Sequence, residues 1–370
     1  MTRAGMTALG VAFPPTIRTN AFWREHHPDL VASASERALS KLWAEPEAQS
    51  KFARAMAPYA SDPFKGASER RVLVGDEGAL ELEAAAVGHV MAAWDGDASQ
   101  VDLLIVAAMR PDSIAVGDAA WLAKRLGLAC PAINLETACS SSVMALELAC
   151  ALVDTQRYQR VLVVASCTYS RDIDPDDTLA WFLADGAGAF MVESRERNAT
   201  PLGAHSISTA ETCGAFVHEL KVEDGLPRAK MRATRAAGEV LHDTAEPYLR
   251  QCCTGALRAA GLTTDDIALF VFNTPTAWYA DFGADVLGVD RDRTVSTYPI
   301  YTNIGPALMP ANLHHAALHG RLAPDDVALL YAVGSASTAI ATVIRWGEVA
   351  LGAAPAPPQT PTPRVATSTE

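Results

Sequence analysis

Long apolar runs are absent from this chain of 370 residues, although 49% of its residues are hydrophobic. No stretch of about 18 or more consecutive apolar residues occurs, which excludes an ordinary membrane-spanning helix. The first fifteen residues, MTRAGMTALGVAFPP, also lack the apolar core and cleavage site of a signal peptide. We therefore expect a cytoplasmic protein with a packed core and a first strand close to the N-terminus.

Basic residues are scarce, since 30 Lys and Arg stand against 43 Asp and Glu and the formal net charge is −13. This balance argues against a nucleic-acid partner but leaves room for a local basic mouth. The seven cysteines are odd in number and follow no metal-binding spacing, so we expect no metal site and a reducing compartment. The segment Asp185–Gly188 lacks the Lys-Ser/Thr pair of a phosphate loop and predicts a tight turn instead.

Two pairs of buried-strand runs repeat with the same separation. The runs DLLIVAA at 102–108 and ALFVFNT at 268–274 lie 166 positions apart, and so do VLVVA at 161–165 and VALLY at 327–331. Apolar strands that alternate with helices are typical of parallel sheets covered on both faces. The sequence thus predicts an α/β protein of two similar halves, residues 1–195 and 196–352. A Pro- and Thr-rich tail at 353–370 is expected to be disordered.

One cysteine lies at a predicted strand-to-helix turn. Residues 132–135 are typical of a strand, and residues 140–153 predict a helix that is apolar almost all round. Cys139 would therefore lie at a helix N-terminus, where the positive end of the helix dipole favours the thiolate. A thiolate attacks thioesters, and free backbone N–H groups at such a turn can hold the resulting oxyanion. We predict that Cys139 is a nucleophile whose own N–H contributes to the oxyanion hole.

Four motifs resemble those of ketoacyl-ACP synthase III. ETACSSSVMAL around Cys139 is similar to that family's active-site motif, and LADGAGAFMV at 183–192 to its FGDGAGA segment. GASERR at 66–71 resembles the family's GIxERR turn, and GSASTAIATVIRW at 334–346 resembles its Gly-rich closing strand. The motifs occur in the expected order over about residues 8–347.

This resemblance implies the thiolase fold, a five-layered αβαβα arrangement of two similar halves, usually as a homodimer. It also implies that an acyl group passes to Cys139 from a thioester of coenzyme A or of the phosphopantetheine arm of an acyl carrier protein. No permanently bound cofactor is implied.

The chain departs from the family at one catalytic position. The family's Asn lies in a GNTSAA motif that is matched by TNIGPA at 302–307, which puts Asn303 in its place. The family's His lies in an HQAN motif that falls on NTPT at 273–276, so that Asn273 occupies the His position. An amide donates hydrogen bonds but accepts no proton at neutral pH. Asn273 and Asn303 can therefore form an oxyanion hole, but general-base work requires another residue.

The stretch that corresponds to the family's acyl-pocket loop offers a replacement base. His218 follows a Gly-Ala-Phe in which Phe216 could line an acyl tunnel, and we predict that His218 deprotonates the acceptor. His205 is the second candidate, and a lid residue that only packs is the alternative for His218.

Further contacts follow from the resemblance. Gly334 and Ser335 are expected to approach Cys139 closely, with a backbone N–H completing the oxyanion hole. Arg70, Arg71 and Arg110 are candidates for phosphate or carrier contacts. The family's Trp-Arg pair around the adenine falls on ASDPF at 60–64, where it is missing, which favours an acyl carrier protein over free coenzyme A.

Three functions remain open. The first is an acyltransferase that moves an acyl group through Cys139 to a small-molecule or carrier-bound acceptor in polyketide or related secondary metabolism. The second is a decarboxylative condensing enzyme that uses an oxyanion hole of Asn273 and Asn303. The third is a non-catalytic partner subunit of a ketosynthase heterodimer, against which the retained Cys139 argues.

Overall fold

A computed structural model describes residues 3–43, 50–223 and 225–355 of the chain. Most helices bury one apolar stripe against a sheet, whereas the helix after Cys139 is buried on most sides. The helices are α1 Asn20–His26, α2 Pro28–Trp43, α3 Lys51–Met56, α4 Ala79–Ala93, α5 Ala119–Leu126, α6 Ser141–Asp154, α7 Ala237–Ala260, α8 Tyr279–Leu287, α9 Tyr298–Tyr301 and α10 Leu308–Leu318.

The strands form two large sheets, a hairpin and a short pair. They are β1 Ala4–Ala12, β2 Ile17–Thr19, β3 Glu69–Arg71, β4 Leu103–Ala108, β5 Ala132–Asn134, β6 Arg160–Thr168, β7 Asp185–Ser194, β8 Thr200–Ser208, β9 Phe216–Glu223, β10 Leu226–Ala233, β11 Leu269–Phe272, β12 Val327–Val333, β13 Thr338–Arg345 and β14 Ala350–Leu351. Within the described ranges the orders are β14-β1-β7-β6-β4-β5, β11-β12-β13-β8, β9-β10 and β2-β3.

The two large sheets repeat one pattern of strand pairing. In the first, β4 and β6 are parallel, β6 and β7 antiparallel, and β7 and β1 antiparallel. In the second, β11 and β12 are parallel, β12 and β13 antiparallel, and β13 and β8 antiparallel. The runs that recur with equal spacing are therefore equivalent parallel pairs, and the predicted fold of two similar halves is confirmed, while the bounds 1–195 and 196–352 stay a prediction. The strand β14, from the predicted second half, returns to pair with β1 of the first sheet.

Three core clusters give the molecule five layers. The helices α4 and α5 cover the outer face of the first sheet. The helices α6 and α10 lie between the two sheets, and the apolar cluster around them joins both. The helices α7 and α8 cover the outer face of the second sheet. This is the predicted αβαβα thiolase fold, and its central layer carries the helix that begins just after Cys139.

A Leu-Gly pair ends an outer helix in each of the two halves. Helix α5 ends at Leu126 and α8 at Leu287, and the following Gly127 and Gly288 have φ angles of 67° and 70°. Glycine adopts this left-handed conformation without steric cost and satisfies the last helical carbonyls. The two halves therefore share the glycine that ends an outer helix as well as the pairing of their strands.

Two further features concern the helices and the C-terminal tail. None of the helices that the structure describes is both long and apolar enough to cross a bilayer. Most of the predicted tail, residues 356–370, lies outside the described residues.

Candidate active site

The cysteine turn is held by its own serines. The strand β5 ends at Asn134, and a single 3-10 turn, Ala138–Ser140, leads into α6. Ala138 has a φ of 54°, a left-handed conformation that costs an alanine energy and therefore needs support. The hydroxyl of Ser140 donates to the Thr137 carbonyl at 2.7 Å. The hydroxyl of Ser141 donates to the Ala138 carbonyl at 2.7 Å and accepts the Thr137 N–H at 2.8 Å. The predicted strand, turn and helix are confirmed, and the serine pair after Cys139 fixes the turn.

The thiol of Cys139 lies in a buried environment. Its Sγ lies 4.0 Å from the hydroxyl of Tyr169, at the end of β6, and both side chains are buried. Burial raises the pKa of the Cys139 thiol to about 11, although its hydrogen bond with Tyr169 acts in the opposite direction. Burial therefore opposes the thiolate that the position at the helix N-terminus favours.

The loop after β12 contacts the cysteine turn from the second half of the chain. A Cβ built on Gly334 would lie 2.1 Å from the Thr137 carbonyl oxygen, so only glycine permits this approach. The predicted close approach is thus present, but the N–H of Gly334 donates to the Thr338 carbonyl at 2.8 Å. Gly334 therefore positions the turn without offering its N–H to an oxyanion, and Cys139 and Ser335 remain the candidate backbone donors.

Asn303 lies on a loop that packs beside Tyr169. Its backbone N–H donates to the Phe182 carbonyl at 3.0 Å, and its Oδ1 accepts the N–H of Gly305 at 2.9 Å. A Cβ built on Gly305 would lie 3.6 Å from the Tyr169 hydroxyl, so this loop and the thiol of Cys139 flank the same phenol. The Nδ2 of Asn303 donates no hydrogen bond to any other residue that the structure describes.

Asn273 is fully buried at the end of β11. Its backbone N–H donates to the Tyr331 carbonyl at 2.8 Å, and its Oδ1 accepts the N–H of Val333 at 3.2 Å. The Nδ2 of Asn273 is buried without a hydrogen-bond partner in the described part of the chain. A buried donor of this kind costs free energy unless a ligand uses it. Asn273 is adjacent, through Val333, to the Gly334 that contacts the cysteine turn.

His218 lies on the hairpin strand β9 and is 41% exposed at its side chain. Its Nε2 is 3.4 Å from Oδ2 of the buried Asp172, whose Oδ1 accepts from Nε of Arg110 at 3.0 Å. Asp172 comes three residues after Tyr169, and its N–H donates to the Tyr169 carbonyl. No hydrogen bond links His218 directly to Cys139 among the described residues. Phe216 lies two positions earlier on β9 and is half-exposed.

The predicted carrier contacts need correction at two of three positions. The side chain of Arg70 is fully buried, donates to the Trp181 carbonyl at 2.6 Å and lies 4.8 Å above the ring of Trp23. Burial lowers the pKa of Arg70 to about 10. Arg71 is also buried and donates to the Pro14 carbonyl. Neither guanidinium reaches the surface, since each donates hydrogen bonds inside the core. Arg110, the third candidate, is paired with Asp172.

His205, the second candidate for the base, lies in the second sheet. His205 is on β8, and a Cβ built on Gly255 of α7 would lie 2.4 Å from its ring, so it packs between the second sheet and the outer helix layer. The described ranges contain no cluster of three or more His, Cys, Asp or Glu side chains suited to a metal ion. The residue that sequence reasoning missed is Tyr169, for which no motif gave a signal.

Comparison with known proteins identifies the relatives of this architecture. The family model described as 3-Oxoacyl-[acyl-carrier-protein (ACP)] synthase III matches residues 133–210, and the model described as its C-terminal part matches residues 257–346. The beta-ketoacyl-[acyl-carrier-protein] synthase III of Rhizobium meliloti (strain 1021) is 30% identical over 251 residues, which cover 66% of this chain and 77% of that protein.

Solved structures agree in fold. The synthase III from Thermus thermophilus is 26% identical with a TM-score of 0.76, and the match covers 93% of this chain and 100% of that chain. The synthase III from Pseudomonas aeruginosa PAO1 is 21% identical with a TM-score of 0.77, and the match covers 94% of this chain and 99% of that chain.

Proposed function

The chain belongs to the 3-oxoacyl-[acyl-carrier-protein] synthase III family of condensing enzymes, and from that premise we propose that it is an acyltransferase. Cys139 takes an acyl group from an acyl carrier protein or coenzyme A thioester and passes it to a small-molecule or carrier-bound acceptor. The reaction belongs to polyketide or related secondary metabolism in the cytoplasm.

The state of Asn273 carries this proposal. The residue stands where the family has its His, and its Oδ1 already accepts the Val333 N–H, so that the side chain offers a donor and no base. Acyl transfer requires only a nucleophile, an oxyanion hole and a base for the acceptor, and it does not require an enolate. The loss of the His therefore removes less from acyl transfer than from decarboxylative condensation.

The first half-reaction uses the cysteine turn. The Sγ of Cys139 attacks the thioester carbonyl carbon, and the departing carrier sulfur takes the proton that Cys139 gives up. The carbonyl oxygen becomes negative at the start of α6, where the N–H groups of Cys139 and Ser335 are the proposed donors. The contact of Gly334 with the Thr137 carbonyl supports this geometry, because it holds the two donor loops together.

The second half-reaction needs a proton acceptor, and we assign it to His218. Its pairing with Asp172 at 3.4 Å supports this role, because a carboxylate within this distance orients the imidazole. Arg110 holds the other oxygen of Asp172 and keeps the carboxylate in place. The position of Asp172, three residues after Tyr169, brings this pair to the segment that borders the thiol.

A second candidate, decarboxylative condensation, is favoured by the two anchored amides. Both Asn273 and Asn303 use Oδ1 to accept a backbone N–H and keep Nδ2 as a donor. Two such donors could stabilise the enolate of a malonyl unit.

We further propose that the protein is a homodimer joined through β5. This strand is at the edge of the first sheet, and Ile133 on it is 41% exposed. The loop that packs on the strand through Asn134 exposes Ile114 and Val116 as well. An unpaired apolar edge is a surface that pairing with a two-fold mate would cover.

Intact-protein mass spectrometry with a panel of acyl-carrier and acyl-coenzyme A thioesters tests the function. We expect an acyl adduct on the wild-type protein and none on Cys139→Ala. The variant Cys213→Ala, which removes the exposed cysteine, should acylate normally. Adding malonyl carrier separates the candidates, because carbon dioxide release establishes condensation, and transfer without it establishes acyl transfer. An adduct that persists in Cys139→Ala would contradict both.

A further inference from the structure

The phenol of Tyr169 is the side-chain hydrogen-bond partner of the proposed nucleophile among the described residues. Its hydroxyl lies 4.0 Å from Sγ of Cys139, a contact distance that a sulfur hydrogen bond allows. Cys139 is the only hydrogen-bond partner of this hydroxyl within the described ranges. Both groups are buried, so in the folded protein bulk water does not substitute for either. The two groups therefore depend on one another for hydrogen bonding.

Apolar packing and a neighbouring loop hold the phenol in this position. Tyr169 follows β6 directly and belongs to the apolar cluster that includes Trp181 and Met231. The loop of Asn303 also approaches it, since a Cβ on Gly305 would lie 3.6 Å from the hydroxyl. The phenol is thus fixed between the thiol and the loop that carries Asn303.

We propose that Tyr169 is a catalytic residue that donates a hydrogen bond to the Cys139 sulfur as it becomes a thiolate. This inference rests on the proposed function and names the group that activates its nucleophile. The need for such a donor is set by the site itself, where Asn273 replaces the usual His and His218 makes no contact with the sulfur among the described residues.

The phenol is suited to donate and not to ionise. Burial raises the pKa of Tyr169 well above its ordinary value, so the hydroxyl keeps its proton throughout the working range of pH. During acylation the sulfur–carbonyl bond forms, the bond to the carrier sulfur breaks, and the proton of Cys139 leaves with the carrier thiol. Tyr169 gains and loses no proton in this step, and its O–H bond dipole stabilises the charge on Sγ.

The rate of alkylation of Cys139 by iodoacetamide between pH 7 and 10 tests the donation without any acyl substrate. Only the thiolate is alkylated, so the rate at a fixed pH reports how well the protein stabilises that charge. Tyr169→Phe removes one oxygen atom and should slow alkylation by about 10- to 100-fold, the range expected for a hydrogen bond to a charged group. Tyr169→Leu, a second variant without a donor, should behave in the same way.

Tyr248→Phe is the matched control. It removes the hydroxyl of another buried tyrosine, which lies on α7 and donates to Glu211. The Cys139 of this variant should be alkylated at the wild-type rate. Wild-type alkylation rates in both Tyr169 variants would overturn the proposal. If no thioester in the panel acylates the protein, the proposed function fails, whereas the alkylation rates still decide the role of Tyr169. If Tyr169→Phe slows alkylation but leaves the rate of acylation by thioesters unchanged, the catalytic role of Tyr169 is overturned.

Discussion

Asn273 accepts the backbone N–H of Val333 through Oδ1 at 3.2 Å, and this contact fixes the amide with its NH2 group as the remaining polar function. Asn303 repeats the arrangement with Gly305, at 2.9 Å. The two amides come from different loops, yet each is anchored through oxygen. These two side chains therefore supply the site with hydrogen-bond donors and not with proton acceptors.

We expect Asn303→Ala to lower turnover more than Asn273→Ala. Asn303 keeps the family identity, and loss of one oxyanion donor typically costs about 10²–10³ in kcat. Asn273→Ala should instead lower the thermal midpoint, because it leaves the N–H of Val333 without its acceptor. Steady-state kinetics and melting curves measure the two effects. The remote Asn198→Ala, which loses buried hydrogen bonds to Arg3 and Glu193, serves as the control and should melt earlier with kcat unchanged. Equal losses of kcat in Asn303→Ala and Asn273→Ala would mean that both amides donate to the same oxyanion hole. That result would support the decarboxylative condensing function.

His218→Ala should leave acylation of Cys139 intact and slow transfer to the acceptor by about 10²–10⁴. Rapid-quench measurement of each half-reaction distinguishes these effects. His242→Ala is the matched control, because His242 is a similarly exposed histidine that pairs with a carboxylate, Asp243, at 3.0 Å on α7. Near-normal transfer by His218→Ala would remove this residue from the mechanism.

Ile133→Asp should convert a dimer into a monomer of 39.2 kDa, because a buried carboxylate opposes pairing of the β5 edges. Light scattering at micromolar concentration measures the mass. Leu220→Asp introduces the same charge on the exposed face of the hairpin strand β9 and should leave the dimer intact. A monomeric wild type would refute the interface.

Glu83 gives stability a predictable dependence on pH. This residue of α4 is fully buried, its Oε1 accepts from the Ser166 hydroxyl at 2.6 Å, and burial, followed by the charge of Asp118, raises its pKa to about 8. The ordinary value is 4.5, so between these values the folded state binds more protons than the unfolded state. Stability contributed by the neutral carboxyl is therefore lost as the pH rises from about 4.5 to about 8.

Glu83→Gln should remove this slope and raise the thermal midpoint by a few degrees at pH 8, with little gain at pH 5. Calorimetry at both pH values measures the difference. The control Glu196→Gln, which changes an exposed carboxylate, should have the thermal midpoint of the wild type at both pH values. A gain of the same size at pH 5 would show that the effect does not come from ionisation.

The sequence predicted the elements that depend on local pattern. Strand runs with equal spacing indicated the duplication, and the apolar run after Cys139 indicated the buried helix. It failed where the outcome depends on what packs around a side chain. Arg70 looks like a surface charge in sequence, and its burial is decided by Trp23, which lies 47 positions earlier. The state of the Cys139 thiol likewise depends on burial, which opposes the helix effect that the sequence reveals.

The contact of Gly334 with Thr137 has a consequence for synthesis of the chain. A ribosome that has translated as far as Leu330 has produced the cysteine turn and every described strand of the first sheet except β14. It has not yet produced the glycine that presses on the turn, nor β13, whose Thr338 fixes that glycine. Since domains fold as their chains emerge, the nascent protein holds its cysteine in an unfinished setting until translation is nearly complete.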